Sequence, residues 1–257
     1  MSVANKKVYL FGNWKMYLTH SESVAYAREL QSWSASLPER AELAIFPSAL
    51  SLVAVRQEVA SGRLQVGAQN IYWVDKGGYT GEVSAHMYKE AGAEYALIGH
   101  SERRHLCGET NHQVRQKVEA ALAAGLIPVL CVGETQAERD AAQTTEVVET
   151  QLRSALEDMA WPAATPLIVA YEPVWAIGTG QACDPDQAAA THALLQTFVI
   201  GLLPGTDPVF LYGGSVREDN VADYVAREHI HGVLVGGASV KLNSWRAIAE
   251  RALAATE

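Results

Sequence analysis

Eight short apolar runs punctuate the chain. They read VYLFGNWK at 8–15, ELAIFPS at 42–48, LQVGAQN at 64–70, YALIGH at 95–100, IPVLCVGE at 127–134, LIVAYEP at 167–173, VFLYGG at 209–214 and GVLVGG at 232–237. Most positions in each run are apolar, rather than every second one, which predicts strands buried on both faces. Between the runs, polar and apolar residues recur at helical spacing. That pattern predicts helices over 21–33, 49–60, 83–90, 111–124, 144–159, 217–226 and 244–254. A further helix is expected to start at Asp184 as N-cap with Pro185 in its first turn, and Gly125 is placed to stop the 111–124 helix. Strict alternation of strand and helix predicts a parallel sheet covered by helices. Eight repeats fit a closed α/β barrel better than an open sheet. No linker rich in Pro, Gly or Ser divides the chain, so residues 1–257 are expected to form one domain.

Composition adds exclusions. Apolar residues make up 49% and charged residues 19% of the 257 positions, as in soluble globular proteins. The net charge of −9 argues against nucleic acid and against acidic membrane surfaces, both of which need a basic face. It leaves room for a small anionic ligand held at a locally positive site. Three cysteines, Cys107, Cys131 and Cys183, form no disulfide framework and suggest a reducing compartment. MSVANKKVYL carries no long apolar signal region, and a cytoplasmic location is expected.

Barrels of this kind carry their chemistry at the C-terminal ends of the strands. Run one ends with Asn13 and Lys15, run three with Gln69 and Asn70, and run four with His100 followed by Ser101 and Glu102. Run five ends near Cys131 and Glu134, run six with Glu172, and runs seven and eight with Gly213–Gly214 and Gly236–Gly237. Each has a plainer reading. Glu172 could be a solvated rim charge, His100 a hydrogen-bonded structural residue and Lys15 a surface lysine. The glycine pairs could be ordinary turns, and Cys131 core filling. Their convergence on one rim favours chemistry. Glycine turns after strands seven and eight let backbone N–H groups approach a phosphate. No HExxH or CxxC motif is present, and "GTG" at 178–180 is not a dinucleotide fingerprint, so no metal and no cofactor is expected. A carboxylate base, an imidazole, an ammonium and a phosphate cradle suit proton abstraction beside the carbonyl of a small phosphorylated sugar.

The stretches "GNWKM" (12–16), "AQNIY" (68–72), "GGYTGEVSAHM" (77–87), "IGHSERR" (98–104), "CVGET" (131–135), "AYEPVWAIGTG" (170–180), "YGGSV" (212–216) and "VGGAS" (235–239) follow one another along the chain. In this order they resemble the triosephosphate isomerase family, end to end. The resemblance implies the eight-stranded (β/α)8 TIM barrel. It also implies interconversion of dihydroxyacetone phosphate and glyceraldehyde 3-phosphate through an enediolate. By the same resemblance Glu172 is the base, His100 a neutral electrophile and proton shuttle, and Lys15 the cation. Asn13 would bond substrate, and Gly178, Ser215, Gly236 and Gly237 would grip phosphate through backbone N–H groups. Leu234 would wall in the base, while Glu102, as a partner of Lys15, and Cys131 would support the site from behind. "VWAIGTG" would be a lid that excludes water. The loop over residues 72–81, from Tyr72 to Gly81 with Thr80 near its tip, would reach into a second copy and make a homodimer.

The chain departs from the family at Tyr17, where Asn is common, and at Gln181-Ala182-Cys183, which ends the lid. Neither departure touches the base, imidazole or ammonium. Two other readings stand beside this one: another phosphate-binding barrel that abstracts a proton, such as a pentose-phosphate epimerase, and a non-catalytic barrel kept as a scaffold. Paired acids or a metal would mark the first. Loss of Glu172, His100 or Lys15 would mark the second.

Overall fold

A computed structural model describes residues 6–178 and 180–257. Eight strands form the centre: β1 (Val8–Asn13), β2 (Ala41–Phe46), β3 (Gln65–Ala68), β4 (Tyr95–Ile98), β5 (Ile127–Val132), β6 (Ile168–Tyr171), β7 (Val209–Tyr212) and β8 (Gly232–Val235). Each lies parallel to its neighbours in chain order, and β1 pairs with β8 from Tyr9↔Gly232 to Gly12↔Val235, closing the barrel.

The strands sort their side chains by parity. Phe11, Phe46, Leu97, Val129, Cys131, Ala170, Leu211 and Leu234 point inward and pack on one another. Their neighbours Leu10, Ile45, Ile98, Leu130, Val169, Phe210 and Val233 point outward under the helices. Both faces are apolar because both are covered, which is why the runs do not alternate.

Around the strands lie α1 (His20–Ser34), α2 (Ala49–Glu58), α3 (Ala85–Glu90), α4 (Ser101–Leu106), α5 (Asn111–Ala124), α6 (Gln136–Asp140), α7 (Thr144–Leu156), α8 (Pro185–Leu202), α9 (Val221–Val225) and α10 (Leu242–Ala254). Thr19, Thr110 and Thr135 close capping boxes with Glu22, Gln113 and Glu138. Gly125 ends α5 in the left-handed region, and Asp184 caps α8 by accepting from the amides of Asp186 and Gln187.

The sequence boundaries need correction in a systematic way. Every apolar run extends two residues beyond its strand at the C-terminal end. There the ladder stops and the rim begins, and the two extra residues are mostly glycines and the polar side chains of the rim, such as Lys15, Gln69, His100 and Glu172. The short helices α4 and α6 were not anticipated. The 83–90 helix begins only after Ser84, whose hydroxyl accepts the Met87 amide. The 217–226 helix shrinks to α9, because Asn220 accepts the Arg217 amide and donates to the Ser215 carbonyl instead of joining a helical turn.

A buried ionic cluster ties the β3 and β4 ends together. Glu109 accepts from the Gly99 amide (3.0 Å), from Arg103 Nε (2.7 Å) and from Lys117, whose ammonium also reaches Asn70 Oδ1 at 2.7 Å. Burial alone would raise the Glu109 carboxyl, but Lys117 and Arg103 more than offset it and hold it below the usual carboxylate range. Its stabilisation is therefore complete above its unfolded pKa of about 4.3 and is lost as the pH falls through the lower folded value. Lys117→Met leaves a buried carboxylate short of a partner. It is expected to cost about 3 kcal/mol at neutral pH, read as a lower urea midpoint. The gap from the unmodified chain should narrow below about pH 4 as Glu109 protonates. An equal gap at all pH values would remove Glu109 from this role.

Candidate active site

The β1 end makes a strained turn. Lys15 has φ 48°, a left-handed conformation that non-glycine residues adopt at a cost of roughly 1–2 kcal/mol. Its amide donates to Asn13 Oδ1 (3.0 Å), and its carbonyl accepts from Gln69 Nε2 (2.8 Å). Gln69 also donates to the Phe46 carbonyl, so the ends of β1, β2 and β3 meet at one side chain. Held this way, Lys15 sends its ammonium to Glu102 Oε1 at 2.5 Å.

Glu172 follows Ala170 on the inward parity of β6 and is 2% exposed. An ionised carboxylate so placed must be hydrogen-bonded. Oε2 accepts the Ser101 amide at 2.8 Å, and Oε1 lies 3.1 Å from His100 Nε2. His100 reaches this position because Gly99 turns the chain at φ +72°, breaking the strand parity. Its Nδ1 accepts the Glu102 amide at 3.3 Å as the N-cap of α4. An Nδ1 that accepts carries no proton, so the ring presents Nε2–H toward Glu172. Beneath them lies Cys131, whose thiol is pushed well up by burial and by the charge of Glu172.

The glycines at the rim make space for protein groups first. A Cβ on Gly133 would stand 1.8 Å from the Glu172 carbonyl oxygen, and one on Gly213 2.9 Å from Glu172 Cγ. On Gly214 it would meet the Tyr212 hydroxyl at 2.2 Å, and on Gly236 the Lys15 Cε at 3.0 Å.

These groups line a cavity of about 280 Å³ to which Asn13, Lys15, His100, Glu172, Ser215, Gly236 and Gly237 all contribute. Leu234, 3% exposed, and Gly178 belong to the same wall. The segment after Glu172 crosses the mouth. Trp175 Nε1 donates to Glu134 Oε1 (2.9 Å) with the Arg139 guanidinium 4.1 Å above its ring, and Ser215 Oγ donates to the Ala176 carbonyl (2.5 Å). The predicted lid includes Thr179, which lies outside the described residues. A second cavity of about 480 Å³ shares Asn13, Lys15, Tyr17 and His100 with the first and opens beside Gln69, Asn70 and Arg103. Among the described residues, no group of three or more His, Cys, Asp or Glu is arranged to hold a metal ion, and no helix is long and apolar enough to cross a membrane.

A model of the triosephosphate isomerase family matches residues 8–252. The chain is 42% identical to the triosephosphate isomerase of Citrifermentans bemidjiense, over 95% of this chain and 98% of that one. It is 40% identical to that of a Picosynechococcus species, over 93% and 97%. The crystal structure of triosephosphate isomerase from Bartonella henselae superposes with a TM-score of 0.86 at 35% identity, covering 95% of this chain and 98% of that one. The chain belongs to the triosephosphate isomerase family.

The residues that the family resemblance singled out in the sequence meet in space. Asn13, Lys15, His100, Glu172, Gly178, Ser215, Leu234, Gly236 and Gly237 all line the smaller cavity, and Glu102 and Cys131 touch its members from behind. The Ser101 amide and Gly133 escaped sequence reasoning, and Gln69 was placed on the rim without a role. A backbone donor leaves no compositional trace, and Gln69 was visible only as a polar residue at a strand end.

Gly213→Ala tests the packing around the carboxylate. The added methyl displaces Glu172 by a fraction of an ångström, and such misplacement costs about 10- to 100-fold in rate. kcat is expected to fall by that factor while the circular dichroism spectrum is unchanged. Undiminished turnover would show that Glu172 does not depend on this contact.

Proposed function

We propose that Glu172 is the base with which this isomerase interconverts dihydroxyacetone phosphate and glyceraldehyde 3-phosphate. The observation that carries the reading is the buried pair of Glu172 and His100, 3.1 Å apart at the wall of a cavity of triose size. Glu172 removes the proton from the carbon beside the carbonyl and returns it to the neighbouring carbon. To do so the carboxylate leaves the Ser101 amide and turns toward substrate. His100 donates from Nε2 to the carbonyl oxygen and passes the proton between the two oxygens. Lys15 stabilises the enediolate and the phosphate, with Asn13 beside it. Backbone N–H groups of Gly178, Ser215, Gly236 and Gly237 hold the phosphate, and Leu234 presses on the base. No cofactor enters this scheme.

The lid serves to exclude water. An enediolate open to solvent loses phosphate by cleavage of its C–O bond, and the resulting enol becomes methylglyoxal. The cytoplasm is the compartment that suits three free thiols, Cys107, Cys131 and Cys183, in a chain of net charge −9.

We also infer a homodimer. Tyr72 stacks on Trp73 (4.1 Å between ring centroids) and packs against Tyr79 (4.8 Å), stiffening a loop whose tip stands in solvent. The second cavity is rimmed by Met16 and Leu106, 95% and 82% exposed, which suits an apolar partner. The loop tip of another copy would fill it and press on Lys15.

Glu172→Gln is expected to lower kcat by at least about 10²-fold in a coupled assay on dihydroxyacetone phosphate without added metal, with the fold retained. Near-normal turnover would sink the assignment. Thr80→Arg places a charge in the proposed socket, where an unpaired buried charge is costly. Sizing should show a monomer with most activity lost. An unchanged dimer would move the interface elsewhere.

A further inference from the structure

The trailing end of the lid is gripped from both sides of one residue. Cys183 is 2% exposed. Its amide donates to the Tyr212 hydroxyl at 3.3 Å, and its carbonyl accepts from the Tyr224 hydroxyl. The two tyrosine rings stack face to face, with centroids 3.9 Å apart and planes at 14°, and both rings are fully buried. Tyr212 ends β7, Tyr224 belongs to α9, and Asp184 next in sequence caps α8. The leading side of the lid is tied to the same β7–α9 connection through Ser215 and the Ala176 carbonyl.

We propose that Tyr224 is a positioning residue for the isomerase reaction: its hydroxyl fixes the carbonyl of Cys183 and thereby the point about which the lid's trailing end turns. This rests on the lid reading above. The side chain touches no substrate group. It acts through Cys183, whose amide must stay on the Tyr212 hydroxyl for the segment before it to settle over the cavity. A buried carbonyl deprived of its donor is costly and seeks water. Without the Tyr224 hydroxyl, the Cys183 peptide would rotate toward solvent and draw its amide off Tyr212. The stacked rings and the Asp184 cap would keep β7 and α8 in place, so the motion would be confined to the hinge. The cost falls on the lid's position over the cavity, which loses its fixed point.

The test is Tyr224→Phe, which keeps the stacked ring and removes the hydroxyl. Three quantities are read in the intact dimer: KM against kcat, the dissociation constant of 2-phosphoglycolate, and methylglyoxal formed per isomerisation. Loss of this hydroxyl's buried hydrogen bonds, to the Cys183 carbonyl and to the Tyr212 hydroxyl, predicts at least about five- to tenfold weaker phosphoglycolate binding and a higher KM. The methylglyoxal ratio should rise by a similar factor, and being a per-turnover ratio it does not respond to a smaller folded fraction. Unchanged inhibitor affinity together with an unchanged ratio would overturn the proposal. A second measurement uses the unmodified chain. Without ligand, the Cys183 amide should exchange hydrogen as slowly as the buried, backbone-bonded Ala188 amide of α8, while those of Gly178 and Gly180 exchange fast. Equal, fast exchange at Cys183 would also overturn it, even if Tyr224→Phe fails to fold. Deletion of residues 177–180 separates this idea from the lid reading. If the deletion leaks methylglyoxal and Tyr224→Phe changes neither that ratio nor phosphoglycolate affinity, the lid stands and the clamp falls. If neither leaks, the water-exclusion reading falls with it.

Discussion

A carboxylate sealed inside a protein needs donors, and the arrangement of this rim follows from supplying them to Glu172. The strand parity of β6 aims the side chain inward. The Ser101 amide and His100 Nε2 then meet its two oxygens from β4's end. For those groups to arrive, Gly99 must break the β4 parity, and Gly133 and Gly213 must leave the carboxylate's backbone and Cγ unobstructed. In the mechanism proposed above, these donors are also the groups that a substrate competes for, and Glu172 exchanges them for others, as a mobile base requires.

The barrel was legible because its cause is local. Eight doubly covered strands leave eight continuous apolar runs, and helix caps such as Asp184-Pro185 are written in adjacent residues. The uniform two-residue overrun took in the first rim residues, whose glycines and polar side chains directly follow each strand. Residue types at the site were visible for the same reason, and the family resemblance supplied roles for them. Contacts across the rim were not visible. That Gln69 joins three strand ends, or that Glu109 binds Lys117 and Arg103 below the surface, depends on which strands become neighbours. Helix α4 hid because its N-cap, His100, also reads as the end of a strand.

The segment proposed as a lid is held on both sides by side chains and peptide groups together. On its leading side Trp175 lies between the Glu134 carboxylate and the Arg139 guanidinium, the Val174 amide donates to the Glu134 carbonyl, and the Ala176 carbonyl accepts from Ser215. On its trailing side both groups of the Cys183 peptide are bonded, to Tyr212 and Tyr224. The two sides share β7 and the chain that follows it as their support, so a change there reaches both.

The bare glycines around the carboxylate and the ammonium also limit how this molecule could change. At positions 133, 213, 214 and 236 even a methyl group would collide with a working part of the site, at separations from 1.8 to 3.0 Å. Any substitution there moves a neighbour, backbone at 133 and side-chain atoms at 213, 214 and 236, since every available replacement is larger. Tyr17 is in the opposite situation. It borders both cavities and is 61% exposed, so its side chain can be exchanged at the outer edge of the pocket without displacing the buried carboxylate.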